Sequence, residues 1–146
     1  MPRLIPLLLA ACFMLATAGA SSPLAALQEQ QLCTGEGVTV STSLPVSNLF
    51  LQGASETTWG VADRHRDALD FFNSTCSVRT HLVIDVSRRG KGLAYTVQLQ
   101  LLKQQDVIWS ASTRGMVRSL GDLEGQLSDL VELGFQQLVT AWQASH

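Results

Sequence analysis

The chain has 146 residues, which is enough for one domain with a single hydrophobic core and too few for two. Its net charge is -2, and 46% of its residues are hydrophobic and 15% charged, an ordinary globular balance. It has neither a basic stripe nor an acidic tail, so nucleic acid is not an expected partner.

The first twenty residues have the order of a secretory signal. Arg3 supplies a positive charge, residues 4–15 form an apolar run, and Ala18-Gly19-Ala20 has the small-residue spacing that signal peptidase cleaves. A membrane-spanning helix needs about 20 apolar residues, more than this run provides. We therefore expect residues 1–20 to be a cleaved signal peptide, with a mature protein that is periplasmic or secreted and has no transmembrane span.

A second type of leader is also encoded. Leu9-Ala10-Ala11-Cys12 has the pattern of a bacterial lipobox, in which Cys12 would carry the lipid anchor. The apolar run continues through Leu15 where a polar tether would be expected, which favours the cleaved signal. Either leader exports the domain.

Removal of the leader leaves two cysteines, Cys33 and Cys76. An even number of cysteines in an oxidising compartment predicts a disulfide between them. It would close a loop of about 43 residues and stabilise the fold by about 4 kcal/mol on the chain-entropy model.

The first half of the mature chain predicts an arm, a strand, a loop and a helix. Residues 21–36 are mainly polar and form an N-terminal arm. Residues 38–44 alternate in the period of two typical of a half-buried strand. Residues 46–58 contain Leu49-Phe50-Leu51 and are interpreted as a loop or short extended piece that places an apolar plug under the domain.

The helix is predicted over residues 58–73, where apolar residues recur every three or four positions. Its charged face brings Asp63 next to Arg66. The members of its apolar face are Val61, Ala62, His65, Ala68, Leu69 and Phe72.

The second half predicts a three-stranded meander and a covering helix. Residues 78–87 and 93–101 alternate in period two, and residues 107–114 form a third β-rich run. Short turns join the three runs, which forces antiparallel neighbours. Ser119 is a predicted N-cap for a helix that runs to Trp142. Gly121, Gly125 and Gly134 in this helix indicate a close approach to the sheet.

These elements predict an α+β fold for residues 37–146. The fold is a two-layer sandwich with a mainly antiparallel four-stranded sheet, in the order strand, helix, three-strand meander, C-terminal helix. Both helices are expected on one face of the sheet.

No catalytic pattern is present in the sequence. The chain has no G-x-S-x-G elbow and no S-x-x-K motif. His65, His81 and His146 are not at ligand spacing to one another, so we predict no cofactor, no metal site and no catalytic residue.

The polar face of the sheet is the predicted partner face. Its candidate residues are Arg79, His81, Asp85, Gln98, Gln100 and Arg114, accompanied by Thr96, Ser110 and Ser112. We expect a non-catalytic binding or assembly role in the cell envelope, with another envelope protein or an envelope glycan as the partner.

Two alternatives stay open. One is a small secreted hydrolase with a site around His65 or His81. The other is a secreted inhibitor, which would present the Leu49-Phe50-Leu51 loop.

The chain resembles several small bacterial envelope domains. The resemblance is carried by the order of the elements from about residue 37 to residue 142, by the strand Tyr95-Thr96-Val97-Gln98-Leu99, and by the strand Val107-Ile108-Trp109-Ser110. It is similar to the N-domain class of lipopolysaccharide-assembly and curli-secretion lipoproteins, and to envelope families of unknown function. The resemblance implies an envelope location and carries over no functional residue.

Overall fold

The structure is a computed structural model that describes residues 23–26, 39–69 and 77–146. The predicted signal peptide, most of the N-terminal arm, and Cys12, Cys33 and Cys76 lie outside the described residues. The elements in chain order are a short 3-10 helix Pro23–Ala26, β1 (Thr39–Thr42), α1 (Asn48–Arg64), α2 (Arg66–Leu69), β2 (Val78–Arg89), β3 (Gly92–Lys103), β4 (Asp106–Val117) and α3 (Leu120–Ser145).

The four strands form one mixed sheet in the order β1-β2-β3-β4. β2, β3 and β4 are antiparallel neighbours of twelve residues each, which confirms the predicted meander. β1 runs parallel to β2, a connection that requires a crossover, and α1 provides it. The predicted α+β class and mainly antiparallel sheet are confirmed.

The core lies between the sheet and the layer of α1 and α3. Leu82, Ile84, Val97 and Leu99 alternate inward along β2 and β3 and are almost completely buried. α3 contributes an apolar stripe that comprises Leu123, Leu127, Leu130, Val131, Phe135, Leu138 and Trp142. Ser119 begins this helix, because its Oγ accepts a hydrogen bond from the backbone N–H of Asp122 at 3.2 Å, as predicted.

Only one of the three glycines in α3 approaches the sheet closely. A Cβ at Gly134 would lie 3.2 Å from the Cβ of Leu99, so this glycine is needed for close packing. The expectation was wrong for Gly121 and Gly125, which lie on the exposed side of the helix. A Cβ at Gly125 would have open space around it.

The prediction for residues 46–58 was wrong, because the segment is helical from Asn48 onward. α1 begins at Asn48, ten residues before the predicted start, and Ser47 caps it by accepting from the N–H of Phe50 at 3.1 Å. Its buried positions include Phe50, Ala54 and Thr58. Ala54 and Thr58 are small or polar, so the sequence shows no strong apolar stripe there.

The end of this helix also differs from the prediction of one helix over residues 58–73. The α-helix ends at Arg64, His65 is its C-cap, and the four-residue turn α2 follows. Val61, Ala62 and Leu69 are buried as expected, whereas Ala68 is exposed. The predicted contact between Arg66 and Asp63 is present as an ion pair.

The 3-10 helix ties part of the predicted N-terminal arm to the core. Leu24 is fully buried, and the 3-10 helix contacts α3 and β4. β1 lies at the opposite edge of the sheet from β4. The chain therefore reaches both edges of the sheet before α1 begins.

Candidate docking face

The strand alternation places one set of polar side chains on the side of the sheet away from the helices, here called the outer face. Its polar members include Thr39 and Ser41 on β1, Arg79, His81 and Asp85 on β2, Thr96, Gln98 and Gln100 on β3, and Ser110, Ser112 and Arg114 on β4. All six residues predicted from the sequence as a partner face belong to it.

The strand register arranges these residues in rows across the sheet. One row is formed by Thr39, His81, Gln100 and Ser110. The next row is formed by Ser41, Val83, Gln98 and Ser112. A third contains Asp85, Thr96 and Arg114. Neighbouring strands are about 4.8 Å apart, so each row places its side chains at nearly constant spacing, and Val83 is the one member of these rows without a hydrogen-bonding side chain.

His81 joins β1 to β2 through both of its ring nitrogens. The Thr39 hydroxyl is hydrogen-bonded to Nδ1, and the Ser41 hydroxyl lies 3.0 Å from Nε2. In a neutral imidazole one nitrogen donates and the other accepts, and the two hydroxyls can satisfy both roles. Burial lowers the pKa of His81 below its ordinary value of 6.5, partly offset by a hydrogen bond to the backbone at Thr39.

Sequence reasoning missed the hydroxyl groups of β1 as partners of His81. The alternation of Thr39, Ser41 and Ser43 was visible in the sequence. The parallel register that brings them beside β2 was not, because it depends on how α1 packs. Ser43 extends this contact, since its Oγ accepts from the N–H of Val86 at 2.7 Å.

The charged residues of the outer face have no internal partners among the described residues. The ion pairs among the described residues lie on the helical layer, where Arg64 and His65 contact Glu132 and Arg66 contacts Asp63. Arg79, Asp85 and Arg114 therefore keep their charges available to a ligand. In the middle of the face, Gln100 donates to Gln98 at 2.8 Å, which fixes both amides.

A shallow groove of about 680 Å³ lies at the end of the outer face near the β2–β3 turn. Asp85, Arg89 and Arg114 contribute charge of both signs to its lining. Met116, 65% exposed, adds an apolar rim. The outer face thus combines a polar, uncharged middle with charged ends.

His65 lies on the helical layer, away from the outer face. Its Nε2 is 2.9 Å from Glu132 Oε1, and its ring stacks on Phe135 with a centroid separation of 6.0 Å. These contacts are typical of a packed histidine that links α1 to α3.

The Leu49-Phe50-Leu51 segment is the first turn of α1, so its interpretation as a loop was wrong. Leu49 is 79% exposed, whereas Phe50 is buried in the core. The inhibitor alternative would be favoured by an exposed, rigid loop, whereas this segment is helical and only part of it is exposed.

Neither a metal cluster nor a membrane-spanning helix occurs in the described ranges. Residues 23–26, 39–69 and 77–146 contain no group of three or more His, Cys, Asp or Glu side chains that could hold a metal ion. Of the helices that the structure describes, none has the length and apolar character to cross a membrane.

Comparisons with known proteins return structural neighbours only. No protein-family model matches the chain, and no curated protein matches it significantly. Among solved structures, the chain is similar to a PelC dodecamer from Paraburkholderia phytofirmans, at 15% identity and a TM-score of 0.38, over 73% of this chain and 87% of that one.

Two further solved structures have comparable similarity. A predicted lipoprotein from Caulobacter crescentus CB15 is 13% identical at a TM-score of 0.34, over 86% of this chain and 96% of that one. The LpoB C-terminal domain from Salmonella enterica is 16% identical at a TM-score of 0.28, over 69% of this chain and 97% of that one. The weak resemblance to small envelope domains is confirmed at this level, and no residue or role is transferred from it.

Proposed function

We propose that the chain is an exported, non-catalytic component of the cell envelope that binds a partner protein or an envelope glycan on its outer face. The observation that supports this most directly is the set of polar rows across four strands on the side of the sheet opposite α1 and α3. The leader of residues 1–20 supports the envelope location.

The chemistry of the outer face suits recognition through many hydrogen bonds. Hydroxyl and amide groups both donate and accept, so they can pair with sugar hydroxyls or with a peptide backbone. Charged residues at the ends of the face can orient a partner and suppress wrong partners. A rim of this kind around a less charged centre is the usual arrangement of a protein interface.

The size of the outer face is adequate for a specific contact. Strands of twelve residues are about 40 Å long, and the sheet is about 15 Å wide, which gives roughly 600 Å² on one side. A standard interface buries about 800 Å² per partner. The outer face together with its groove therefore approaches the area of one stable interface.

Charge reversal at the two ends of the outer face tests this proposal. Arg79→Glu combined with Arg114→Glu is expected to lower recovery of the partner in a pull-down from envelope extract about tenfold or more. The reason is that like charges facing each other across the interface cost at least about 1.4 kcal/mol of binding free energy. The matched control is Arg64→Glu with Arg66→Glu, which makes the same charge change on the helical layer. Equal recovery for both double variants would remove the outer face as the binding site.

The same pull-down separates the two partner classes. Extract treated with glycan-degrading enzymes loses the captured material if the partner is a glycan and retains it if the partner is a protein. Either result locates the partner class within the proposal.

A hydrolase centred on His81 is the second candidate, and one contact favours it. Ser41 Oγ lies 3.0 Å from His81 Nε2, which is the separation of a nucleophile and its base. The lowered pKa of His81 keeps the imidazole neutral and able to accept a proton. The orienting partner at Nδ1 is the Thr39 hydroxyl, however, where catalytic histidines usually have a carboxylate.

The variant Ser41→Ala distinguishes this candidate from the binding proposal. A hydrolase would lose its activity on ester, peptide or glycan substrates with this change. A binding protein would show no hydrolysis before or after the change.

A further inference from the structure

The end of the sheet formed by the β2–β3 turn and the end of β4 collects positive charge. Arg88, Lys91 and Arg118 line one cleft of about 300 Å³ at this end, here called the basic cleft. Arg88 pairs with Leu93, which pairs with Val117, so the register brings Arg118 beside the turn. The sequence does not show this cluster, because Arg118 is separated from the turn by the whole β3–β4 hairpin.

The charge of the basic cleft is not neutralised by the described residues. All three cations are exposed, and none of them takes part in an ion pair within the described part of the chain. No residue that lines the cleft is acidic. The positive charge therefore faces solvent and is available to an external anion.

The whole chain is acidic with a net charge of -2, and the acidic residues nearest to the cleft along the chain are Asp85, three residues before Arg88, and Asp122, whose N–H donates to the cleft residue Ser119. Between Asp85 and Asp122 the only acidic residue is Asp106. Asp106 pairs with Lys103 in the β3–β4 turn, at the far end of the sheet. The cationic end is thus a local feature of the fold.

The basic cleft is also lined by apolar side chains. Leu44, Leu93 and Leu120 belong to its lining and are partly buried, because they pack against the core on one side. A free inorganic anion would use the charges and gain nothing from the exposed parts of these leucines. A negatively charged headgroup attached to hydrocarbon would use both.

We propose that the basic cleft docks the domain on an anionic lipid surface. Arg88, Lys91 and Arg118 pair with lipid phosphates, and the exposed parts of the three lining leucines contact the adjoining hydrocarbon. Basic residues near an anionic membrane each contribute about 1 kcal/mol to binding, which corresponds to roughly fivefold in partition. Three such residues give about a hundredfold preference for anionic over neutral vesicles.

This inference goes beyond the proposed function and is independent of it. The basic cleft is at the end of the strands, whereas the partner rows lie across their outer face. A domain held by the cleft therefore keeps the polar rows accessible to a partner.

Vesicle co-sedimentation tests the proposal with protein recovered from cells that express the whole chain. The measured quantity is the ratio of partition into phosphatidylcholine vesicles with about 30% phosphatidylglycerol to partition into pure phosphatidylcholine vesicles. A lipid anchor on the chain would raise both partition values by the same factor, so it would leave their ratio unchanged. We expect a ratio near one hundred at low salt that falls as salt rises.

The variant Arg88→Gln/Lys91→Gln/Arg118→Gln is expected to bring this ratio close to one. Its control is Arg64→Gln/Arg66→Gln/Lys103→Gln, which removes the same charge at other exposed positions and is expected to keep the ratio. Equal ratios in the two triple variants would overturn the proposal. Lys91→Gln alone, in the turn, is expected to lower the ratio about fivefold if the triple variant fails to fold.

Two further arms separate lipid from other anions. Inorganic phosphate at equal ionic strength is expected not to compete with the vesicles, and competition would overturn the lipid assignment in favour of a free-phosphate site. Soluble dextran sulfate that binds the wild type as tightly as the vesicles do would overturn it in favour of a general polyanion site. Hydrogen exchange on the wild type is expected to show protection at residues 88–93 and 117–120 when anionic vesicles are added, and unchanged exchange there would contradict the proposal.

Discussion

The side chain of His81 holds the shortest strand of the sheet in place. β1 has only four residues, so its backbone pairing with β2 is limited. The hydroxyls of Thr39 and Ser41 add two side-chain hydrogen bonds to this edge, and Ser43 adds a bond to the backbone of Val86. His81 therefore both stabilises the pairing of β1 with β2 and forms part of the outer face.

The lowered pKa of His81 predicts a loss of stability on acidification. The unfolded chain takes up a proton near pH 6.5, which the folded histidine resists because burial lowers its pKa. The stabilisation is therefore complete above about pH 6.5 and decreases as the pH falls through that value. We expect the thermal midpoint of the wild type to fall more between pH 7.5 and 5.5 than that of His81→Gln, measured by circular dichroism. Parallel pH profiles for the two proteins would contradict this account.

Gly115 illustrates a glycine that packing requires. A Cβ at this position would lie 2.8 Å from Cζ and 3.1 Å from Cε1 of Tyr95, whose ring is buried on the neighbouring strand. We expect Gly115→Ala to destabilise the fold by about 1–3 kcal/mol, because the ring must move against a packed core.

Glycine to alanine at Gly125, where the added Cβ has open space around it, is the control for Gly115→Ala. Gly125→Ala is expected to stabilise α3 by up to about 1 kcal/mol, since a Cβ there meets no neighbour and alanine favours helix. Urea denaturation gives both values. Equal changes at the two positions would show that the packing of Tyr95 on Gly115 is wrong.

At the scale of elements, the sequence predicted the strands better than the first helix. The period-two alternation in β2 and β3 is uninterrupted, and short turns leave only antiparallel neighbours, so the meander could be predicted. α1 was placed ten residues too late because Ala54 and Thr58 occupy buried positions where larger apolar residues would have marked the stripe. Thr58 is satisfied there by donating to the carbonyl of Ala54 at 2.8 Å.

The candidate site, too, could be predicted only in part from the sequence. Residues on one strand could be assigned to the outer face, because alternation fixes the side of the sheet to which each side chain points. Contacts between distant segments could not be assigned. The pairing of His81 with Ser41 depends on the parallel register of β1, and the meeting of Arg88 with Arg118 depends on the length of the β3–β4 hairpin.

The start of α1 gives a direct test at this scale. Ser47→Ala removes the N-cap whose Oγ accepts from the N–H of Phe50, and we expect a loss of about 1 kcal/mol in the free energy of unfolding. Ser128→Ala, in the exposed middle of α3, is the control and is expected to change stability by a few tenths of a kcal/mol at most. A neutral Ser47→Ala variant would indicate that the helix begins later, as the sequence pattern suggested.

At the scale of the whole molecule, the leader and the two mature cysteines predict an exported, crosslinked protein. We expect the intact mass of the purified protein to correspond to a chain that begins at Ser21, with one hydrogen lost from each of Cys33 and Cys76. Reduction is expected to destabilise the fold by about 4 kcal/mol on the chain-entropy model. A lipid mass on Cys12 would favour the anchored alternative. Recovery with Met1 and free thiols would contradict both export and pairing.

The two proposed binding surfaces lie in different places, one on the outer face of the sheet and the other at the strand ends. The outer face offers hydroxyl and amide groups in rows, which suits a polar partner. The basic cleft offers three cations and three partly buried leucines in one lining, which suits an anionic lipid surface. The groove of the outer face and the basic cleft adjoin at the β2–β3 turn but share no lining residue.

Site-specific photo-crosslinking in intact cells tests the central proposal most directly. A photoreactive amino acid at Ser112, in the middle of the outer face, is compared with the same residue at Gln137, exposed on α3. Binding through the outer face predicts a discrete crosslinked species from position 112 and none of the same mass from position 137. Crosslinking from position 137 alone would contradict the proposal, because it would place the partner on the helical layer.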